Sequence, residues 1–191
     1  MDGARGLAFV QRFTFLPDRD YADNATVEFW HNGAGSFTAW DKDNVMPDDP
    51  ARTACFIECE LIGPLTRLEP NASSSWNYEW AATTVGLDAA VTDCTAAGLV
   101  LRPLSVRVAD GRATWSGHWG VFDQGRARAI LFSADGRRLA EHDLGDVTPR
   151  RAFLLDRATP CPKEAVAAAV EVLLSSGNAT GYLGQAPVKS Q

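Results

Sequence analysis

Between residues 98 and 144, apolar and polar side chains alternate in four runs parted by Asp110-Gly111, Asp123-Gln124-Gly125 and Asp135-Gly136. Asp-Gly supplies the positive φ angles of a two-residue hairpin turn, and a three-residue turn ending in glycine suits a type I turn closed by a bulge. Residues opposite one another in an antiparallel pair share a face, so each turn fixes which side chains meet. Counting from the turns pairs Val106 with Trp115, Arg102 with Trp119, Trp119 with Ala129, Ala129 with His142 and Arg128 with Asp143. The three counts sort the runs into one apolar and one polar face. The first gathers Val100, Leu104, Val106, Trp115, Trp119, Val121, Ala127, Ala129, Leu131 and Leu144; the second gathers Thr114, Ser116, His118, Arg126, Arg128, Glu141 and Asp143. A slip of one residue would scramble that sorting.

The alternation continues on the N-terminal side. Residues 7–16 put Leu7, Phe9, Phe13 and Phe15 on one side, with Gln11 among them. Residues 26–31 and 37–41 flank a glycine-rich loop whose length would bring Val27, Phe29, His31, Phe37 and Ala39 to one face. In residues 53–62, Cys55, Ile57, Cys59 and Leu61 alternate with Phe56, Glu58 and Glu60, and residues 75–81 carry the ladder Trp76-Tyr78-Trp80. Residues 17–24, 41–51 and 63–74 are Pro-, Asp- and Ser-rich connections, and the small residues of 81–97 allow a short helix. Residues 162–175 predict a C-terminal helix: Thr159 or Cys161 as cap, Pro162 in the first turn, Glu164 near the positive end, Gly177 as terminator, and Val166, Val170, Leu173 and Leu174 as an apolar stripe. Residues 178–191 read as a flexible tail.

The expected fold is therefore mainly β: a single domain over residues 1–177, built as an antiparallel β-barrel or strongly curved meander sheet with one C-terminal α-helix. The plan resembles the calycin architecture. The resemblance is one of layout alone, since the opening strand lacks the Gly-x-Trp of true lipocalins, and it transfers no residue.

One row breaks the apolar face: Arg102–Trp119–Ala129–His142, with Gly117, Ala127 and Ala129 leaving volume around the indole. A buried guanidinium needs a carboxylate, carbonyls, an aromatic face or an anionic ligand. The structural alternative is a sheet edge or a bulge at Pro103 that turns Arg102 outward to water. Six tryptophans are many for one small domain; they either fill a large core or wall a concave apolar pocket with a few placed polar groups. In the pocket reading His142 or His31 is the general acid or base and Arg102 or Tyr78 the electrophilic donor. Trp119, Trp115, Trp76, Trp80, Gln11 and Phe13 then hold the substrate.

The 191 residues carry a net charge of −6 spread along the chain, with no basic block, which argues against nucleic acid and anionic membranes as partners. No apolar stretch reaches membrane-spanning length, residues 1–5 lack a signal-peptide core, and a cytoplasmic location with reduced thiols is expected. Cys55 and Cys59 lie roughly 13 Å apart on a strand, too far for a disulfide, whereas Cys94 and Cys161 are free to pair. Asn24, Asn71 and Asn178 open Asn-x-Ser/Thr acceptor patterns.

Phosphate-loop, dinucleotide, nucleophile-elbow, Cys-x-x-Cys and zincin motifs are absent, so neither cofactor nor metal is expected. Asp41-Lys42-Asp43-Asn44 echoes the start of a calcium loop, lacks its glycine and glutamate, and reads as a solvated turn. Three functions fit. The first is a cofactor-independent isomerase, cyclase or lyase acting on a hydrophobic, polycyclic or acid-bearing small molecule. The second is a carrier of such a ligand. The third is an interaction module docking through Phe56, Glu58 and Glu60. A homodimer is compatible with each.

Overall fold

The computed structural model describes residues 1–31, 35–39, 41–46, 57–87 and 89–190. They form fourteen strands: β1 (Leu7–Phe13), β2 (Val27–His31), β3 (Gly35–Ala39), β4 (Lys42–Met46), β5 (Ile57–Leu61), β6 (Tyr78–Thr84), β7 (Asp93–Cys94), β8 (Gly98–Ala109), β9 (Arg112–Val121), β10 (Gly125–Phe132), β11 (Arg138–Val147), β12 (Phe153–Pro160), β13 (Ala167–Leu173) and β14 (Ala179–Ser190). Apart from one 3-10 turn, Ala22–Asn24, the described residues contain no helix, and none long and apolar enough to cross a membrane.

The chain divides into two compact units, Met1–Gln11 with Trp80–Gln191, and Arg12–Glu79. In the first, the strands run β11-β10-β13-β14-β8-β9-β12, with β7 also on β8, and curl into a nearly closed barrel. The barrel interior is the core, where Trp115, Trp119, Val121, Ala127, Ala129, Leu131, Val170, Val172 and Leu183 are wholly buried. A residue with no accessible surface borders no water-sized void, so the volume expected around Trp119 is filled. Its own ring occupies the space that a Cβ at Gly117 would need, and it stacks on Phe153 at 5.7 Å. The second unit holds two ribbons, β2–β5 and β3–β4; among its described residues only Tyr21 is a buried hydrophobic side chain.

Several expectations change. The C-terminal helix is absent: residues 167–173 are β13, laddered to β10 and β14. Its Ala-Val run is buried on both faces, and a short apolar run of that kind does not separate helix from strand by periodicity. The expected tail over residues 178–191 is, within residues 179–190, the strand β14, which pairs with β13 and, in parallel, with β8 through Val188↔Val106. The turn at Asp110-Gly111 (φ 49° and 70°) gives Val106↔Trp115 as counted. Beyond it two irregularities around Pro103 shift the ladder, so Val100 faces Trp119 and Arg102 faces His118.

Residues 123–125 make no hairpin. Gly125 lies outside the left-handed region, and its missing side chain instead lets the Leu173 carbonyl approach. Trp119 and Ala129 therefore share the interior without pairing. In the second unit β2 pairs with β5 and β3 with β4, not with one another, and Asp41 (φ 58°) is the turn between β3 and β4. Cys55 and Phe56 lie outside the described residues.

Candidate functional site

β11 and β12 are consecutive in the chain, yet they are the two edges of the barrel sheet, joined by one backbone bridge at Thr148↔Arg151. Further along, side chains span the seam: the His142 imidazole donates from Nε2 to Pro160 O at 3.1 Å, and Arg157 Nη1 donates to Asp143 O at 3.1 Å. His142 does pair with Ala129 as counted, but its ring latches an open edge.

At the end of the barrel where the β11–β12 connection turns, three connections meet around an open cleft of about 970 Å³. Its walls come from Gln124 to Arg126, from Asp146 to Arg151 without Pro149, and from Leu173, Leu174, Ser175 and Gly177. The turn at Thr148 is set by its own groups: its carbonyl accepts from Arg151 N at 3.2 Å and its hydroxyl from Arg150 N at 3.4 Å. That turn places two adjacent arginines at the rim, and neither guanidinium has an ion-pair partner among the described residues. Arg126 is held by both carboxylate oxygens of Asp143 and lies 3.7 Å from Asp146. Those contacts raise the Arg126 pKa, and Arg126 holds Asp143 below the usual carboxylate range.

With Arg126 engaged by Asp143 and Asp146, the cleft presents the Arg150 and Arg151 guanidiniums as its uncompensated cations, in a chain whose net charge is −6. Val147, Leu173 and Leu174 supply its apolar wall. Chemically the cleft can hold a carboxylate or phosphate by forked hydrogen bonds while an attached apolar body lies on the leucines.

A separate ion cluster lies beside it on the barrel. Glu171, almost fully buried, accepts from Arg128 at 2.6 Å and Arg138 at 3.4 Å, and Glu141 bridges the same two arginines at 2.6 and 2.9 Å. All four charges are paired.

The residues expected to make a pocket are dispersed. Trp115 and Trp119 are in the barrel core. Arg102 is exposed beside His118, with Nη2 3.5 Å from Gly117 O, and His118 is held below its ordinary pKa first by burial and then by that guanidinium. Trp80 is exposed, leaning on Phe9 at 5.9 Å, and Gln11 is half-buried on β1. Phe13, Trp76 and Tyr78 do come together, in the second unit. His31 lies on β2, its side chain outside the described residues. Glu58 and Glu60 are exposed on β5. Cys161 is a free thiol, raised in pKa by burial. Among the described residues no group of three or more His, Cys, Asp or Glu side chains is placed to hold a metal ion.

The arginine cleft did not emerge from sequence reasoning, which weighed charge over the whole chain. The local signal was present: Pro149-Arg150-Arg151 is a turn followed by two cations, close to Arg126 once β10 and β11 pair. Fold and cleft together describe a nearly closed, barrel-shaped sheet with a cationic, part-apolar cleft at one end. Set against known proteins, the chain matches no family model, no curated protein and no solved structure.

Proposed function

We propose that the protein binds a small amphipathic acid, with a carboxylate or phosphate head and an apolar body, in the barrel-end cleft. The observation that carries this reading is the meeting of Arg126, Arg150 and Arg151 with Leu173 and Leu174 in one cleft of about 970 Å³. The substrate class is the hydrophobic, acid-bearing one expected from the sequence; the residues proposed to take it are different. A cytoplasmic setting is proposed with it, supported by the free thiol of Cys161.

Isothermal titration with naphthoate and with its neutral analogue naphthalenemethanol tests the reading. Naphthoate is expected to bind, and the double variant Arg150→Ala/Arg151→Ala to weaken it about tenfold while barely changing the alcohol. Equal affinity for acid and alcohol would contradict it.

A catalytic reading, as a cofactor-independent isomerase, cyclase or lyase, is favoured by one observation: Arg102 stands beside His118, whose lowered pKa keeps a neutral imidazole next to a cationic donor. Native mass spectrometry after incubation with cell extract separates the two. A released molecule altered from its form in the extract favours catalysis, and one returned unchanged favours a carrier.

A further inference from the structure

A second groove lies in the unit Arg12–Glu79, whose chemistry is unlike that of the barrel cleft. Residues 12–14 and 77–79 line an open space of about 420 Å³. Along it Phe13 meets Trp76 edge-on at 5.6 Å, and Trp76 leans on Tyr78 at 5.8 Å, which leaves the Tyr78 ring half exposed. Polar groups line the same space: Arg12 Nη2 donates to Glu79 Oε2 at 2.7 Å, and Asn77 and Thr14 add an amide and a hydroxyl. From the ring pair and this polar lining we propose that the groove binds a neutral saccharide.

Three features choose the ligand. The groove is shallow and open, so a purely apolar molecule would shed little water there, whereas a pyranose can lay its C–H face on an exposed ring and keep its hydroxyls wet. The guanidinium–carboxylate pair, the amide and the hydroxyl present donors and acceptors side by side, as vicinal hydroxyls require. The unit carries five cationic against twelve anionic side chains, a net charge of −7, which disfavours phosphates, acidic sugars and nucleic acids as ligands. The rest of the chain, with thirteen against twelve, is close to neutral and holds the arginine cleft, so the two sites are suited to different ligands.

Isothermal titration of the full chain with cellohexaose, maltohexaose, xylohexaose and chitohexaose tests the proposal. Binding of at least one is expected, weakened about tenfold by Tyr78→Ala and also reduced by Glu79→Gln, with Arg150→Ala/Arg151→Ala without effect. Tyr78 is half exposed, and Glu79→Gln keeps shape and volume, so one variant remains informative if the other fails to fold. No binding of any of the four, or binding unaltered in both groove variants, would overturn the proposal. Loss of saccharide binding in the arginine double variant would do so as well.

Discussion

Trp115 and Trp119 sit four residues apart on the inner face of β9, both without accessible surface, yet their indole N–H groups differ. Trp115 Nε1 donates to Thr159 Oγ1 at 2.9 Å, whereas Trp119 Nε1 is buried with no acceptor among the described residues. A buried donor deprived of its partner costs about 1–3 kcal/mol. Thr159→Val, which keeps the shape and removes the acceptor, is expected to destabilise by about that amount in urea unfolding. His118 gives a residue-scale prediction in pH. Its folded-state pKa lies below the ordinary 6.5, so the fold binds fewer protons than the unfolded chain in that window. Its stabilising contribution is complete above about pH 6.5 and is lost as pH falls through the window toward the folded value. Melting temperatures of His118→Asn should therefore fall less than those of the parent protein over that range; parallel curves would remove the effect. The sequence placed both tryptophans inside correctly, because alternation alone decides that. The turn count paired Arg102 with Trp119, but the alternative drawn from Pro103, a bulge that turns Arg102 outward, is the arrangement the ladder adopts.

At the scale of elements, agreement of register was reached by two departures that offset each other. The turn at Asp135-Gly136 closes through Ser133 N to Arg137 O at 3.0 Å, one residue longer than a two-residue hairpin, and an irregularity between Leu131 and Phe132 restores Ala129↔His142. Alternation survives such bulges, which is why the inner face was legible although the β9–β10 pairing was not. The connection at residues 123–125 and the strand β13 were illegible for different reasons. Gly125 answers to a neighbouring carbonyl rather than to a turn, and β13 is covered on both faces, which erases a polar side. The open seam is an element-scale feature with its own consequence. If His142 and Arg157 hold β11 to β12, the variant His142→Ala/Arg157→Ala should lose about 1–3 kcal/mol, two hydrogen bonds at the usual net worth. Amide exchange should then quicken along β11 and β12 while β13 stays protected. Unchanged exchange at both edges would show that the seam needs no latch.

Across the whole molecule, charge is partitioned as the chain-wide total of −6 conceals: the unit Arg12–Glu79 carries −7 and the rest of the chain +1. All three lining guanidiniums are exposed, so attraction at the cleft is screened, and naphthoate binding should weaken as salt is raised. The filled interior directs ligands to the rim, because residues such as Trp119, Ala127 and Leu131 have no accessible surface to offer. The most direct test of the arginine cleft is a two-dimensional amide NMR titration of the labelled protein with naphthoate. Shifts confined to residues 124–126, 146–151 and 173–177 are the predicted result. Shifts centred on the barrel interior around Trp115 and Trp119, or none at saturating ligand, would contradict it.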